Sequence, residues 1–387
     1  MKRLVSLWAG NNAIEWIREK GLSPDDVEVV AGAAGGPKWL IVRHLDRHLF
    51  SSWLALRKRP LFFLGSSIGA WRFAAACQKD PCAAFERFEQ AYMGQAYESN
   101  PPQEAIDQEL RRILDRLIGA DGAEEILAHP KFRLNIMTVR CKGLTAHDER
   151  FRLMAGLFLA AASNFMLRRF LGIFFERILF YDRRDRPPFY RMRDFPLRQV
   201  PLTMANLKPA LAASGAIPLL MSGVKNIAGT DGGTYRDGGI IDYHMNIDFL
   251  GRKKGLVLFP HYAEKIVPGW LDKHIPWRKP DLGKMSDVLM VAPSKRLTDS
   301  LALKKVPDRK DFYTFSGRDG ERIAYWRQAL DAGERLADEF MELAVSGRIA
   351  SELRPISELC CSRPSAGPGK LAPQKSGMRR VHRAKSR

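Results

Sequence analysis

Apolar residues along this chain come in two arrangements: short unbroken runs that end at glycine, and longer stretches at helical spacing. VEVVAGA (27–33) is a run of the first kind, followed by a glycine turn and a helical pattern through about Leu54. PLFFLGS (60–66) is the next, and SIGAWRFAAACQ after it reads as a helix. Unbroken apolar strands that alternate with helices predict an α/β fold with a mainly parallel central sheet flanked by helices. RLNIMTV (133–139), GLVLF (255–259) and DVLMVA (287–292) read as further buried strands. Residues 84–128 alternate helical patterns with turn signals, and a charged amphipathic helix from roughly Arg322 to Val345 closes the folded part. The chain shows no internal repeat. The division expected is one domain over 1–350, with a basic tail at 361–387.

Two segments depart from this alternation. FRLMAGLFLAAASNFMLRRFLGIFFERILFY (151–181) is the most apolar part of the chain, yet its longest charge-free run, Leu153 to Leu167, is only fifteen residues. A spanning helix needs roughly 18–20. Two readings stand: a buried core helix, or a helix in a membrane interface. In the second, Arg168, Arg169 and Arg177 reach lipid phosphates while Phe158, Phe165, Phe170 and Phe174 enter the acyl region. The tail from Cys361 holds Pro, Gly and Ser with eight Lys or Arg and no acid. It has nothing to build a core from, and disorder is expected.

Charge narrows the class of partner. Sixty-two basic against 43 acidic residues leave +19, which attracts polyanions: nucleic acid or an anionic membrane surface. No nucleic-acid-binding motif is present, so no nucleic acid is expected and the membrane surface is favoured. The five cysteines (77, 82, 141, 360 and 361) are odd in number and scattered, and the eight histidines lack zinc spacing. The apolar stretch in MKRLVSLWAGNNAIEW is cut short at Asn11 and Asn12, unlike a signal peptide. The expectation is a cytoplasmic protein, peripheral to the membrane, with no metal and no cofactor.

The candidate chemistry begins at FFLGSSIGAW (62–71). Gly65-Ser66-Ser67-Ile68-Gly69 fits a tight strand-to-helix turn with a serine N-cap, and it equally fits a G-x-S-x-G nucleophile elbow. Upstream, AGAAGGPKW (31–39) follows a strand and opens a helix. It is neither G-x-G-x-x-G nor a P-loop, since Lys38 lies between Pro37 and Trp39. Its backbone N–H groups can still converge on an oxyanion. Downstream, GTDGGTYRDGGIIDYH (229–244) holds Asp-Gly-Gly twice, at Asp231 and Asp237. Either is a turn, or a carboxylate presented on a turn.

Glycine-rich loop, serine motif, Ala213-Ser214-Gly215-Ala216-Ile217-Pro218 and the Asp-Gly-Gly at Asp237, in this order, resemble the patatin-like phospholipases across roughly residues 27–262. Ala34 and Trp39 stand where that family usually has glycine, and Tyr243 and Met245 where Asn and Pro are usual. The resemblance implies a lipid acyl hydrolase that cleaves carboxylic esters. Ser67 would be nucleophile, Asp237 its base, and Ala34, Gly35 and Gly36 the oxyanion loop. The alternatives are a histidine triad, with Asp237 followed by His244, His261 or His274, and a catalytically inactive lipid-binding protein on the same fold.

Overall fold

The computed structural model describes residues 3–98 and 101–360. Its strands are β1 (Val5–Ala9), β2 (Val27–Gly32), β3 (Leu61–Ser66), β4 (Phe132–Cys141), β5 (Phe175–Tyr181), β6 (Leu197–Pro201), β7 (Val224–Lys225), β8 (Thr234–Asp237), β9 (Leu256–Pro260), β10 (Val288–Pro293) and β11 (Leu353–Pro355). They form one sheet in the order β11-β1-β10-β9-β2-β3-β4-β5-β6, with β8 also on β4 and β7 on β8. From β10 through β9, β2 and β3 to β4, every neighbouring pair is parallel. Those five strands are the mainly apolar runs of the sequence, buried almost throughout, with Glu28 in β2 and Arg133, Asn135 and Thr138 in β4 buried among them. Continuous burial is what a parallel sheet with both faces covered demands. Antiparallel strands enter at the flanks: β1 on β10, β5 on β4, and β8 on β4.

One detail of β4 sets the chemistry. The strand is long enough to outrun β3, which ends with Ser66 opposite Met137. Strand β5 occupies the other side of β4 from Ile136 onward. The vacant side is taken by β8, running antiparallel, with Asp237 opposite Thr138. The end of β3 and the end of β8 therefore meet head to head along a single edge of β4. Ser67 and Asp237, 170 positions apart in the chain, are the residues at that junction.

The apolar segment, read as one helix whether core or interfacial, is instead a helix followed by a strand. Its first half is the helix Arg150–Met166, which buries Leu153, Gly156, Leu157, Ala160 and Asn164. Its other face leaves Phe151, Met154, Phe158, Phe165 and Met166 exposed. Its second half, Phe175 onward, is β5. Arg177 corrects the snorkelling expectation: it is fully buried on β5, bonded to Asp242 at 2.7 Å and to Asp194 at 2.6 Å. Arg168 is likewise held inward, by Asp272 at 3.1 Å and the Ile241 carbonyl at 2.6 Å. Among the described residues no helix is long and apolar enough to cross a membrane. The basic tail, 361–387, lies outside the described residues.

The stretch from Gly36 to Trp53, expected as one helix, is instead a 3₁₀ turn, a short α-helix and a π turn in succession. The long helix Asp319–Val345 packs across it. The approach is close enough that a Cβ at Gly333 would lie 2.4 Å from the Ile41 carbonyl oxygen.

Candidate active site

Strand β3 turns into the helix Ile68–Ala76 through one residue, Ser67, whose φ of 55° and ψ of −129° are costly for a side chain other than glycine. The flanking glycines make this turn possible. A Cβ on Gly69 would lie 2.1 Å from the Gly32 oxygen, and one on Gly65 2.4 Å from the Ala70 nitrogen. Strand, turn and helix are thereby pressed together with Ser67 at the apex. The strained apex is fastened from beneath: Ser67 N–H donates to Ser214 Oγ at 2.8 Å, and Ser214 Oγ–H donates to the Met137 carbonyl at 2.7 Å.

Ser67 Oγ–H donates to Asp237 Oδ2 at 2.7 Å, while Asp237 Oδ1 accepts from Gly239 N–H at 2.7 Å. Both side chains are buried, with Ser67 at the floor of a cleft. Burial raises the carboxyl pKa of Asp237 above its ordinary value, against the opposing pull of the Ser67 hydrogen bond, Arg309, Gly239 N–H and Lys273. A carboxylate raised in this way is a stronger base than one in water, which is what a serine hydroxyl requires. Ser66 is fully buried and its hydroxyl has no partner among the described residues. Asp231, the other Asp-Gly-Gly aspartate, is exposed and paired with Arg198.

The histidines are occupied elsewhere. Tyr262 O–H donates to the Ala34 carbonyl, and His244 Nε2 lies 2.8 Å from the Tyr262 oxygen while its Nδ1 lies 3.0 Å from the Lys265 carbonyl. Val267 N–H also reaches Nδ1, at 3.0 Å. Burial, followed by His261, Lys38 and Lys273, pushes the His244 pKa well below its usual value, in keeping with a neutral ring. His261 bonds to Ala263 through Nδ1 and is driven down to about 3 by burial. His274 is exposed at the end of the turn Trp270–His274. Asp237 bonds to Ser67 and Gly239 and, among the described residues, to no histidine.

The oxyanion loop needs one correction. Ala34 N–H donates to the Tyr243 carbonyl at 2.9 Å, so it is not available to a substrate. Tyr262 and Tyr243 thus hold Ala34 at its oxygen and its nitrogen, a device the departures at positions 34 and 243 gave no sign of. Gly35 and Gly36 line the space beside Ser67. Trp39 is fully buried against Phe88, with ring centroids 4.5 Å apart, and anchors the end of the loop to the helix Pro81–Met93.

Two cavities meet at Ser67. One, of about 240 Å³, runs over Trp71, Ile106, Leu110, Ile113 and Leu220 and is walled by Phe312. The other, of about 330 Å³, is bounded by Asp237, Tyr243, Trp270, Lys38, Lys273 and Arg309. Lys273, Arg309 and Phe312 lie outside every motif of the sequence and were not legible as site residues. Comparison with known proteins leaves the geometry to stand by itself: no family model and no curated protein matches the chain.

Proposed function

We propose that the protein is a lipid acyl hydrolase that cleaves carboxylic esters of phospholipids or related lipids with a Ser67–Asp237 dyad. The observation that carries this reading is a serine at positive φ between a strand and a helix, 2.7 Å from a buried aspartate. Strain of this kind persists where the surrounding structure enforces it, and nucleophile elbows are such places. The order of the motifs, which resembles the patatin-like phospholipases, supports it from the sequence side.

In the reaction, Ser67 Oγ attacks the ester carbonyl as its proton passes to Asp237 Oδ2. The N–H groups of Gly35 and Gly36, with the N-terminus of the helix Ile68–Ala76, face the developing oxyanion. Asp237 returns the proton to the leaving alcohol, and an acyl group remains on Ser67. Asp237 then deprotonates a water, which releases the fatty acid and restores the serine. The exposed Phe151, Phe158 and Phe165 of the helix Arg150–Met166 suit peripheral contact with a lipid surface. That helix and the turn after it reach the cleft: Asn164 and Arg168 both hold Asp272, in the turn that carries Trp270 and Lys273.

Labelling with a fluorophosphonate tests the proposal. The wild-type protein should be modified at Ser67, and Ser67→Ala should not be labelled. A folded wild-type protein that neither reacts nor hydrolyses any ester would refute it.

A further inference from the structure

The two cavities at Ser67 differ in chemistry, and the difference specifies a substrate. The cavity over Trp71, Ile106, Leu110 and Phe312 offers an acyl chain a largely apolar wall. Across the nucleophile, the second cavity collects Lys38, Lys273, Arg309 and Lys310 from three separate parts of the chain. Two acids share it. Asp237 belongs to the dyad, and Asp308 is engaged by Lys305 at 3.0 Å. Among the described residues none of the four cations forms a salt bridge; Lys38 and Lys273 lie instead over the rings of Tyr262 and Tyr243, at 4.9 and 3.7 Å. Their field is felt locally. Burial alone would raise the Tyr243 phenol, yet beside Lys38 and Lys273 its pKa falls below the ordinary value.

Four cations against two carboxylates, one hydrogen-bonded to Ser67 and the other paired with Lys305, leave an excess of positive charge that a bound anion would offset. Arg309 borders both cavities and so stands between the reacting ester and whatever fills the basic side. A guanidinium with three ammonium groups matches the oxygens of a phosphate, by charge-assisted hydrogen bonds. A phosphocholine would instead bring a quaternary ammonium into the same field. On the reading of Ser67 as an acyl-transfer nucleophile, we infer that the preferred substrate is a single-chain acyl ester of glycerol phosphate. Its chain enters the apolar cavity, its carbonyl rests at Ser67, and its terminal phosphate is held by Lys38, Lys273, Arg309 and Lys310. The leaving group of the reaction is then glycerol phosphate.

Equilibrium binding of ethers, which cannot be hydrolysed, tests this apart from catalysis. The ligands are the decyl ether of glycerol phosphate, its phosphocholine counterpart, uncharged decylglycerol, and free glycerol phosphate and inorganic phosphate. All are used below their aggregation limits with the full chain. The phosphate ether should bind about tenfold more tightly than either of the other ethers. That preference should weaken in salt and fall to about threefold or less in the Lys273→Gln/Arg309→Gln variant. The melting temperature of the variant, and its affinity for decylglycerol, report whether the fold and the apolar cavity survive. If that variant does not fold, Lys310→Gln, at an exposed position, takes its place and should lower the preference in the same direction. Equal binding of the three ethers by the wild type, or a preference that survives substitution, overturns the inference. So does free glycerol phosphate or inorganic phosphate binding as tightly as the phosphate ether, which would mark a site for the free anion. Fluorophosphonate labelling of Ser67 reports separately on the hydrolase reading, so the two can fail independently.

Discussion

Ser66 and Ser67 carry the same side chain one residue apart, and the turn assigns them opposite surroundings. Ser66 ends β3 with its hydroxyl sealed inside, while Ser67 at φ 55° faces the cleft and Asp237. Ser67→Ala should therefore cut ester hydrolysis by about a thousandfold or more with little change in the melting temperature, whereas Ser66→Ala should retain most of the rate. Steady-state kinetics on a soluble ester would distinguish them, and full turnover by folded Ser67→Ala would remove the dyad. Asp237 adds a pH signature. Its pKa is raised by burial, so kcat/KM should fall with acid about a midpoint above 3.8. The same shift makes ionised Asp237 a cost to the fold, absent below the unfolded pKa and complete once pH exceeds the folded pKa. Asp237→Asn should then be inactive yet melt at a higher temperature than wild type at neutral pH, by a margin that shrinks as pH falls. A lower melting temperature at every pH would contradict that linkage. Ser67 and Asp237 were both legible as candidates because a tight strand-to-helix turn and an Asp-Gly-Gly turn are local devices with local sequence requirements. Ser214 was visible only as part of a motif, and its grip on the Ser67 nitrogen depends on a register that no local pattern encodes.

Among the elements, the segment 151–181 shows where periodicity stops being informative. FFERILFY continues the apolar character of the preceding helix, and a short apolar run reads alike as buried helix or buried strand. What separates them is the free edge of β4, a tertiary fact. Once β5 is paired there, Arg177 faces inward and must be matched, which Asp242 and Asp194 do. Arg177→Met leaves buried Asp242 without its partner and Asp194 with Lys284 alone, and should cost about 3–5 kcal/mol in denaturant unfolding. An effect below 1 kcal/mol would mean that the trio adds little. The helix before it makes the converse case. Phe158 and Phe165 are exposed, so Phe158→Ser/Phe165→Ser should alter stability by only about 0.5 kcal/mol per site. If this face meets lipid, the same pair of changes should reduce co-sedimentation with phosphatidylglycerol vesicles several-fold while hydrolysis of a soluble ester continues. Unchanged co-sedimentation would leave the face without a lipid role.

Across the whole molecule, the motifs span residues 27–262 but the fold does not close within them. Strand β9 would be left as a bare edge, since its partner β10 begins at Val288. Strand β1, near the N-terminus, lies between β10 and β11, and Arg3 ties it to Glu339 and Glu352 at 3.3 and 2.8 Å. The helix Asp319–Val345 covers the loop that carries Trp39 to Val42, and it buries Trp326, Leu336, Phe340 and Leu343 completely. At about 1.5–3 kcal/mol for each buried side chain, those four residues contribute on the order of 6–12 kcal/mol, comparable with the whole stability of an ordinary domain at 5–15 kcal/mol. The candidate site depends on the same region, for Arg309 and Phe312 wall its cavities from just ahead of that helix. A fragment of residues 27–262 holds Ser67, Asp237 and the glycine loop, and by motif content alone it should be active. By packing it should not fold. Circular dichroism and fluorophosphonate labelling of the fragment would decide between these outcomes: a cooperative melt with labelled Ser67 would show that the motif core is autonomous. The expected result is loss of both, restored by supplying β1, β10, the helix and β11 within the same chain.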